Sequence, residues 1–252
     1  MKALFTSLLL ILATNSFADE MRYYDVEIVI IENLDINARN AEIWPLEVNL
    51  KPAERTITLG ESVKKDWLPQ DVDMKLSYRK LRSSSYQLNE YIEKISESEK
   101  QRVIYHTAWR QPGLSNELSL PIYFKREVAA APTIDEQQQT EGTLAPNNVE
   151  SLPSVLEGIL RVTLARYLHL EAELTFRTKL PEITRSDNPF SVLDNEKERS
   201  QLQKQGVIHF KQERRRIRST ELHYLDHPAL SILVLMTPYE NPDDDVTASA
   251  KN

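Results

Sequence analysis

Along residues 158–176 apolar and polar side chains alternate more regularly than elsewhere in the chain. Leu160, Val162, Leu164, Leu168, Leu170, Leu174 and Phe176 fall on one side, and Arg161, Thr163, Tyr167, His169, Glu171, Glu173 and Thr175 on the other. A period of two marks a strand with one face in a core and the other in water. Only Arg166 breaks the apolar side, and the run exceeds an ordinary strand. A bend near Ala165 and Arg166, or a strand protruding beyond its sheet, is therefore predicted. Its antiparallel partner is expected at 207–218, across a polar loop at 178–205.

The same pattern predicts a strand at 23–31, with Tyr24, Val26, Ile28 and Ile30 on one face and Tyr23, Asp25, Glu27, Val29 and Ile31 on the other. The next fifty residues, punctuated by Trp44-Pro45, Lys51-Pro52 and Leu68-Pro69, carry no long periodic run and are expected to drape over the core. Ser83-Ser84-Ser85 can cap a helix in which Leu88, Tyr91, Ile92 and Ile95 recur at helical spacing to about Ser98. Val103, Tyr105, Thr107 and Trp109 then alternate with Arg102, Ile104, His106 and Ala108 up to Pro112-Gly113, and Leu118 to Phe124 reads as a further extended piece. The last strand, about Leu230 to Thr237, is apolar on both faces and should lie inside a sheet. This order of elements suits an α+β fold: an antiparallel or mixed sheet of ferredoxin-like type, with a long protruding β-hairpin and disordered loops.

Composition adds limits. Residues 1–18 contain Lys2, an apolar run from Ala3 to Ala13 and then Ser16-Phe17-Ala18, which reads as a cleaved signal peptide and predicts export to the periplasm. Residues 19–240 then form a single α+β domain, interrupted near 127–153 by a disordered loop rich in alanine, glutamine, threonine and proline, and followed at 241–252 by a disordered acidic tail. No second apolar run is long enough to span a membrane after leader cleavage. The chain has no cysteine, so no disulfide or thiolate takes part, and an exported fold must rely on its hydrophobic core. A formal charge of −7 argues against nucleic acid as a partner. Any anionic ligand must meet a local patch, and Lys211, Arg214, Arg215, Arg216 and Arg218 against Glu213 supply one.

On a regular strand Arg214, Arg216 and Arg218 share a face at about 7 Å spacing, and each guanidinium fork can take a carboxylate with two hydrogen bonds. They suit a polymer with repeated carboxylates; pairing with Glu171 and Glu173 across the hairpin is the competing explanation. His223, Asp226 and His227 could meet on one helical turn as metal ligands, but Pro228 tends to end a helix before His227, and Asp226 is well placed to close a turn. Trp44 and Trp67 can stack on sugars or anchor the irregular segment. Nucleophile and metallohydrolase motifs are absent from the sequence.

The run Arg214-Arg215-Arg216-Ile217-Arg218-Ser219 with Glu221-Leu222-His223-Tyr224-Leu225-Asp226-His227-Pro228 and an apolar strand ending in Thr237-Pro238 resembles the signature of the CsiV family of periplasmic peptidoglycan-binding proteins. Tyr24-Asp25-Val26-Glu27-Ile28-Val29-Ile30 and Arg166-Tyr167-Leu168-His169-Leu170 agree with it. The family pattern has a glycine and larger apolar residues where this chain has Thr220, Ala229 and Ser231. The resemblance implies a non-catalytic periplasmic protein, without cofactor or metal, that binds peptidoglycan and supports cell-wall synthesis by contacting an outer-membrane lipoprotein activator of a class A penicillin-binding protein. The candidate contact residues are Arg214, Arg216, Arg218, His223, Tyr224, Trp44 and Trp67. The alternative is a metal-dependent cell-wall hydrolase using His223, Asp226 and His227.

Overall fold

The computed structural model describes residues 21–35, 44–45, 47–129, 154–178 and 206–240. The expectations for the leader, most of the 127–153 loop, the 178–205 loop and the acidic tail fall outside these residues. The described part is mostly β with one α-helix. Its strands are β1 (Tyr23–Asn33), β2 (Arg79–Lys80), β3 (Gln101–Pro112), β4 (Ile122–Val128), β5 (Ser154–Leu164), β6 (Leu168–Thr178), β7 (Gly206–Ile217), β8 (His223–Leu225) and β9 (Leu230–Tyr239), with helix α1 (Asn89–Ser96) between β2 and β3. Where one sheet of ferredoxin-like type was expected, the strands divide between two sheets, ordered β2-β3-β1-β9-β8 and β4-β5-β6-β7. All strand pairs within them are antiparallel.

The division follows from which faces are apolar. Val26, Ile28 and Ile30 of β1 and Ile232, Val234 and Met236 of β9 share one core with Leu156, Leu160, Leu170, Leu174 and Phe176 of the second sheet. β1 is apolar on its other face as well, and there Val29 and Ile31 pack with Leu233 against Leu88. Ile92 and Ile95 of α1 cover the same patch. Burying Leu88 almost completely contributes about 2 kcal/mol. Tyr91, expected on the packed face, is exposed instead.

The run at 158–176 forms two strands, not one. Leu164 and Leu168 face each other across a turn in which the Ala165 N–H donates to the Tyr167 carbonyl at 3.1 Å. Arg166 interrupts the apolar side because it sits in that turn. β6 pairs with β7 as expected, but it lies inside the sheet between β5 and β7.

Two bulges reset the alternation. In β3, Ile30 pairs with Tyr105 and Ile31 with Val103, so Ile104 is the extra residue. Ile104 enters the core with Trp109, while Val103 turns to the helix side. In β7, Leu170 pairs with Arg215 and Ala172 with Gln212, leaving Glu213 and Arg214 opposite the single Glu171. Arg214 has φ 38°, the left-handed conformation found at such bulges.

The irregular segment before β3 drapes over the core as expected. Leu68, Val72 and Tyr78 are buried, and Ile57 forms an isolated bridge with Ile122. The serines at 83–85 form a separate 3-10 turn and do not cap α1.

Candidate binding cleft

At one end of the two sheets, the start of β1, the residue after β3, the β5–β6 turn and the end of β7 enclose a cleft of about 600 Å³. Its lining includes Arg22, Arg166, Arg216 and Arg218 and, among the described residues, no aspartate or glutamate. The four arginines are exposed, whereas Tyr24, Leu168 and Ile217 beneath them are buried. The cleft thus has a cationic rim over an apolar floor.

Each arginine is positioned by a different local device. The tight β5–β6 turn projects Arg166 and Tyr167 at its tip. Pairing of β6 with β7 sets Arg216 opposite His169, and the Arg216 guanidinium lies 3.4 Å from the centre of the Tyr167 ring. Arg166 lies 5.4 Å from the same ring, so one aromatic ring contacts two cations. Arg218 follows β7, and its N–H donates to Nε2 of His223 at 2.9 Å. The Thr220 N–H donates to the Met236 carbonyl at 2.8 Å, which ties this turn to β9. At the start of β1, the Arg22 carbonyl accepts the Gly113 N–H at 2.7 Å. Gly113 has to be small, since a Cβ there would stand 2.6 Å from Leu164 and 3.0 Å from Tyr24.

Of the candidate contact residues, the cleft takes in Arg216 and Arg218 only. Arg214, at the bulge in β7, does not line it. Its charge is felt by Glu117 instead, whose carboxyl is held below its ordinary range first by the Ser115 hydroxyl, then by its own backbone, with Arg214 and Arg161 adding smaller attractions. The competing pairing with Glu171 and Glu173 is not what forms: Glu171 accepts Arg161 Nε at 2.8 Å, and Glu173 faces His209 at 3.1 Å. Among the described residues, no carboxylate lies within ion-pair distance of Arg214, Arg215 or Arg216, and Arg218 meets Glu221 at 3.5 Å with both side chains exposed.

His223 supports the Arg218 turn. Tyr224 projects from β8, 48% exposed, with its hydroxyl donating to Ser231 Oγ at 2.8 Å. Partial burial, aided by the nearby Asp226 charge and hydrogen bond, raises that phenol's pKa. Trp44 is half-buried beside His227, ring centres 5.5 Å apart, and Trp67 packs on the core under Lys64; neither lines the cleft.

The three-residue metal set is not assembled. Residues 223–225 form a strand, not a helical turn, and Nδ1 of His227 accepts the N–H groups of Ala229 and Leu230 at 3.3 and 3.2 Å. Among the described residues no three metal-ligating side chains cluster.

Arg166 and Tyr167 were visible in the sequence, the first as the only break in an apolar alternation. Arg22 carried no such signal. The three segments on which the family resemblance rests meet here, through Tyr24, through Arg166, Tyr167 and Leu168, and through Arg216 to Ser219.

Fold and site define a mostly β protein with a cationic cleft at one end of two facing sheets. Residues 3–239 match the family model described as "Peptidoglycan-binding protein, CsiV". The chain belongs to the CsiV family of peptidoglycan-binding proteins. No curated protein and no solved structure matches it. No helix among the described residues is long and apolar enough to cross a membrane.

Proposed function

We propose that this protein is a non-catalytic periplasmic factor that binds peptidoglycan through the arginine cleft and supports cell-wall synthesis. The observation that carries the reading is an arginine-lined rim on which Arg166 and Arg216 meet no carboxylate among the described residues, in a chain whose family is described as peptidoglycan-binding. Guanidinium forks on an exposed rim suit wall carboxylates, because each fork can make two charge-assisted hydrogen bonds. Secretion by a cleaved leader ending at Ala18, and contact with a lipoprotein activator of a class A penicillin-binding protein, belong to the same proposal.

Co-sedimentation with purified sacculi tests it. Changing Arg166, Arg216 and Arg218 together to glutamine should weaken binding by about a thousandfold or more, since each lost charge-assisted contact is worth roughly 1.5–3 kcal/mol. Binding of the parent should also fall as salt rises, because exposed charges are screened beyond about 8 Å at physiological ionic strength. Arg214→Gln, off the cleft, is the control and should change little. Equal sedimentation of the triple variant and the parent, with both folded by circular dichroism, would remove the cleft from the proposal.

A further inference from the structure

Resting on the wall-binding reading, we propose that the cleft takes the free end of a peptidoglycan stem peptide: a short terminus with two or more carboxylates and a small apolar side chain. A row of arginines along one strand would have suited a polymer lying lengthwise. The bulge at Glu213 and Arg214 breaks that row. The arginines instead converge from three separate segments around a space of about 600 Å³, the size of a small-molecule site.

Charge and burial narrow the ligand further. Among the described residues Arg166 and Arg216 have no carboxylate within ion-pair distance and both lie against the Tyr167 ring, so a ligand with several negative charges gains by entering beside them. The glycan strand is uncharged where a stem is attached, and the wall's carboxylates lie on the stem. The buried floor of Tyr24, Leu168 and Ile217 offers an apolar surface to a side chain as small as the methyl group of a terminal D-alanine. Arg216 is already ordered by its stacking on Tyr167, and stacking uses the face of the guanidinium while leaving its N–H edge directed outward. The donor stem of a cross-link has lost its terminal carboxylate to an amide, so the cleft distinguishes stems with a free terminus from donor stems.

Isothermal titration of the full-length mature protein with a synthetic stem tetrapeptide tests this, alongside the same peptide as its C-terminal amide, an acidic L-peptide of equal charge, and glycan strands stripped of peptide. The free acid should bind, the amide about tenfold more weakly for the loss of one charge-assisted contact, and the L-peptide and stripped glycan weakly or not at all. Arg166→Gln/Arg216→Gln should abolish the difference between acid and amide. Because the amide changes only the ligand, that comparison stands even if a variant misfolds. Equal binding of acid and amide, or of the L-peptide, overturns the inference. Binding to sacculi and stripped glycan without binding to the tetrapeptide overturns it while leaving the wall-binding reading intact; no binding to any of these, sacculi included, overturns both.

Discussion

Charged side chains of the first sheet and those of the cleft rim are used in opposite ways. In the first sheet Arg110 meets Asp25 at 2.7 Å and Arg102 meets Glu32 at 2.5 Å on the neighbouring strand, and the His106 ring hydrogen-bonds Glu27 at 2.7 Å. Glu27 does more than pair. One carboxylate oxygen accepts the Gln87 N–H and the other the Leu88 N–H, so it serves the chain entering α1 in place of the serines. At the rim, Arg216 and Arg166 rest on the Tyr167 ring with no carboxylate within ion-pair distance among the described residues, and Arg218 meets only the exposed Glu221 at 3.5 Å. The difference teaches where charge holds the fold and where it remains available to a ligand, since a buried carboxylate is tolerable only when its bonds are met.

Mutation can break this contrast, most strongly at Glu27. Glu27→Ala leaves the buried Leu88 N–H and the part-buried Gln87 N–H without their acceptor and His106 without its partner, and should lower unfolding free energy in urea by about 3 kcal/mol. A loss below about 0.5 kcal/mol, the scale expected of a surface change such as Arg216→Gln, would erase the distinction.

Tyr78, between the sheets, comes next. It is buried at φ 54°, its oxygen accepts the Leu120 N–H at 2.8 Å, and Ser119 continues the network to the Val162 carbonyl. Tyr78→Phe should cost about 2 kcal/mol, the penalty of an unmet buried donor. Burial is the first cause that raises the Tyr78 phenol above its ordinary value of 10.0. Since the folded value exceeds the unfolded one, this contribution is complete below about pH 10 and is lost as pH rises through the folded value. The variant should accordingly lose stability less steeply than the parent in alkali, as followed by thermal melts across that range; parallel curves would refute the assignment.

The smallest effect is expected beside the rim. Thr220 has φ 65°, a conformation that costs a side-chain-bearing residue about 1 kcal/mol and glycine nothing comparable. Thr220→Gly should therefore stabilise the protein by up to about 1 kcal/mol in denaturant titration, and leave sacculus binding unchanged because the Arg218 turn keeps its backbone bonds. The glycine of the family pattern at this position finds its physical reason in the same angle.

Much of the fold was legible in the chain. Strands at 23–31, 103–109, 207–218 and 230–237, and the apolar helix positions Leu88, Ile92 and Ile95, follow from periods of 2 and 3.6, which are local properties. The break at Arg166 announced a turn. Less of the cleft was legible: Arg216, Arg218 and the odd position of Arg166 could be seen, but the bulge at Arg214, which lies outside the cleft lining, could not, and Arg22 was silent. A bulge needs a partner strand to be defined, since one extra residue is extra only against the residues it fails to pair with.

The sequence by itself determined which segments are extended, which faces are apolar and where positive charge concentrates, because side-chain period and charge are carried by neighbouring residues. Only the tertiary structure decided that the strands form two sheets, that Glu27 serves the entry to α1 sixty residues away, and that arginines from positions 22, 166, 216 and 218 share one cleft. Those outcomes depend on long-range pairing and register, and a shift of one residue moves a side chain to the opposite face.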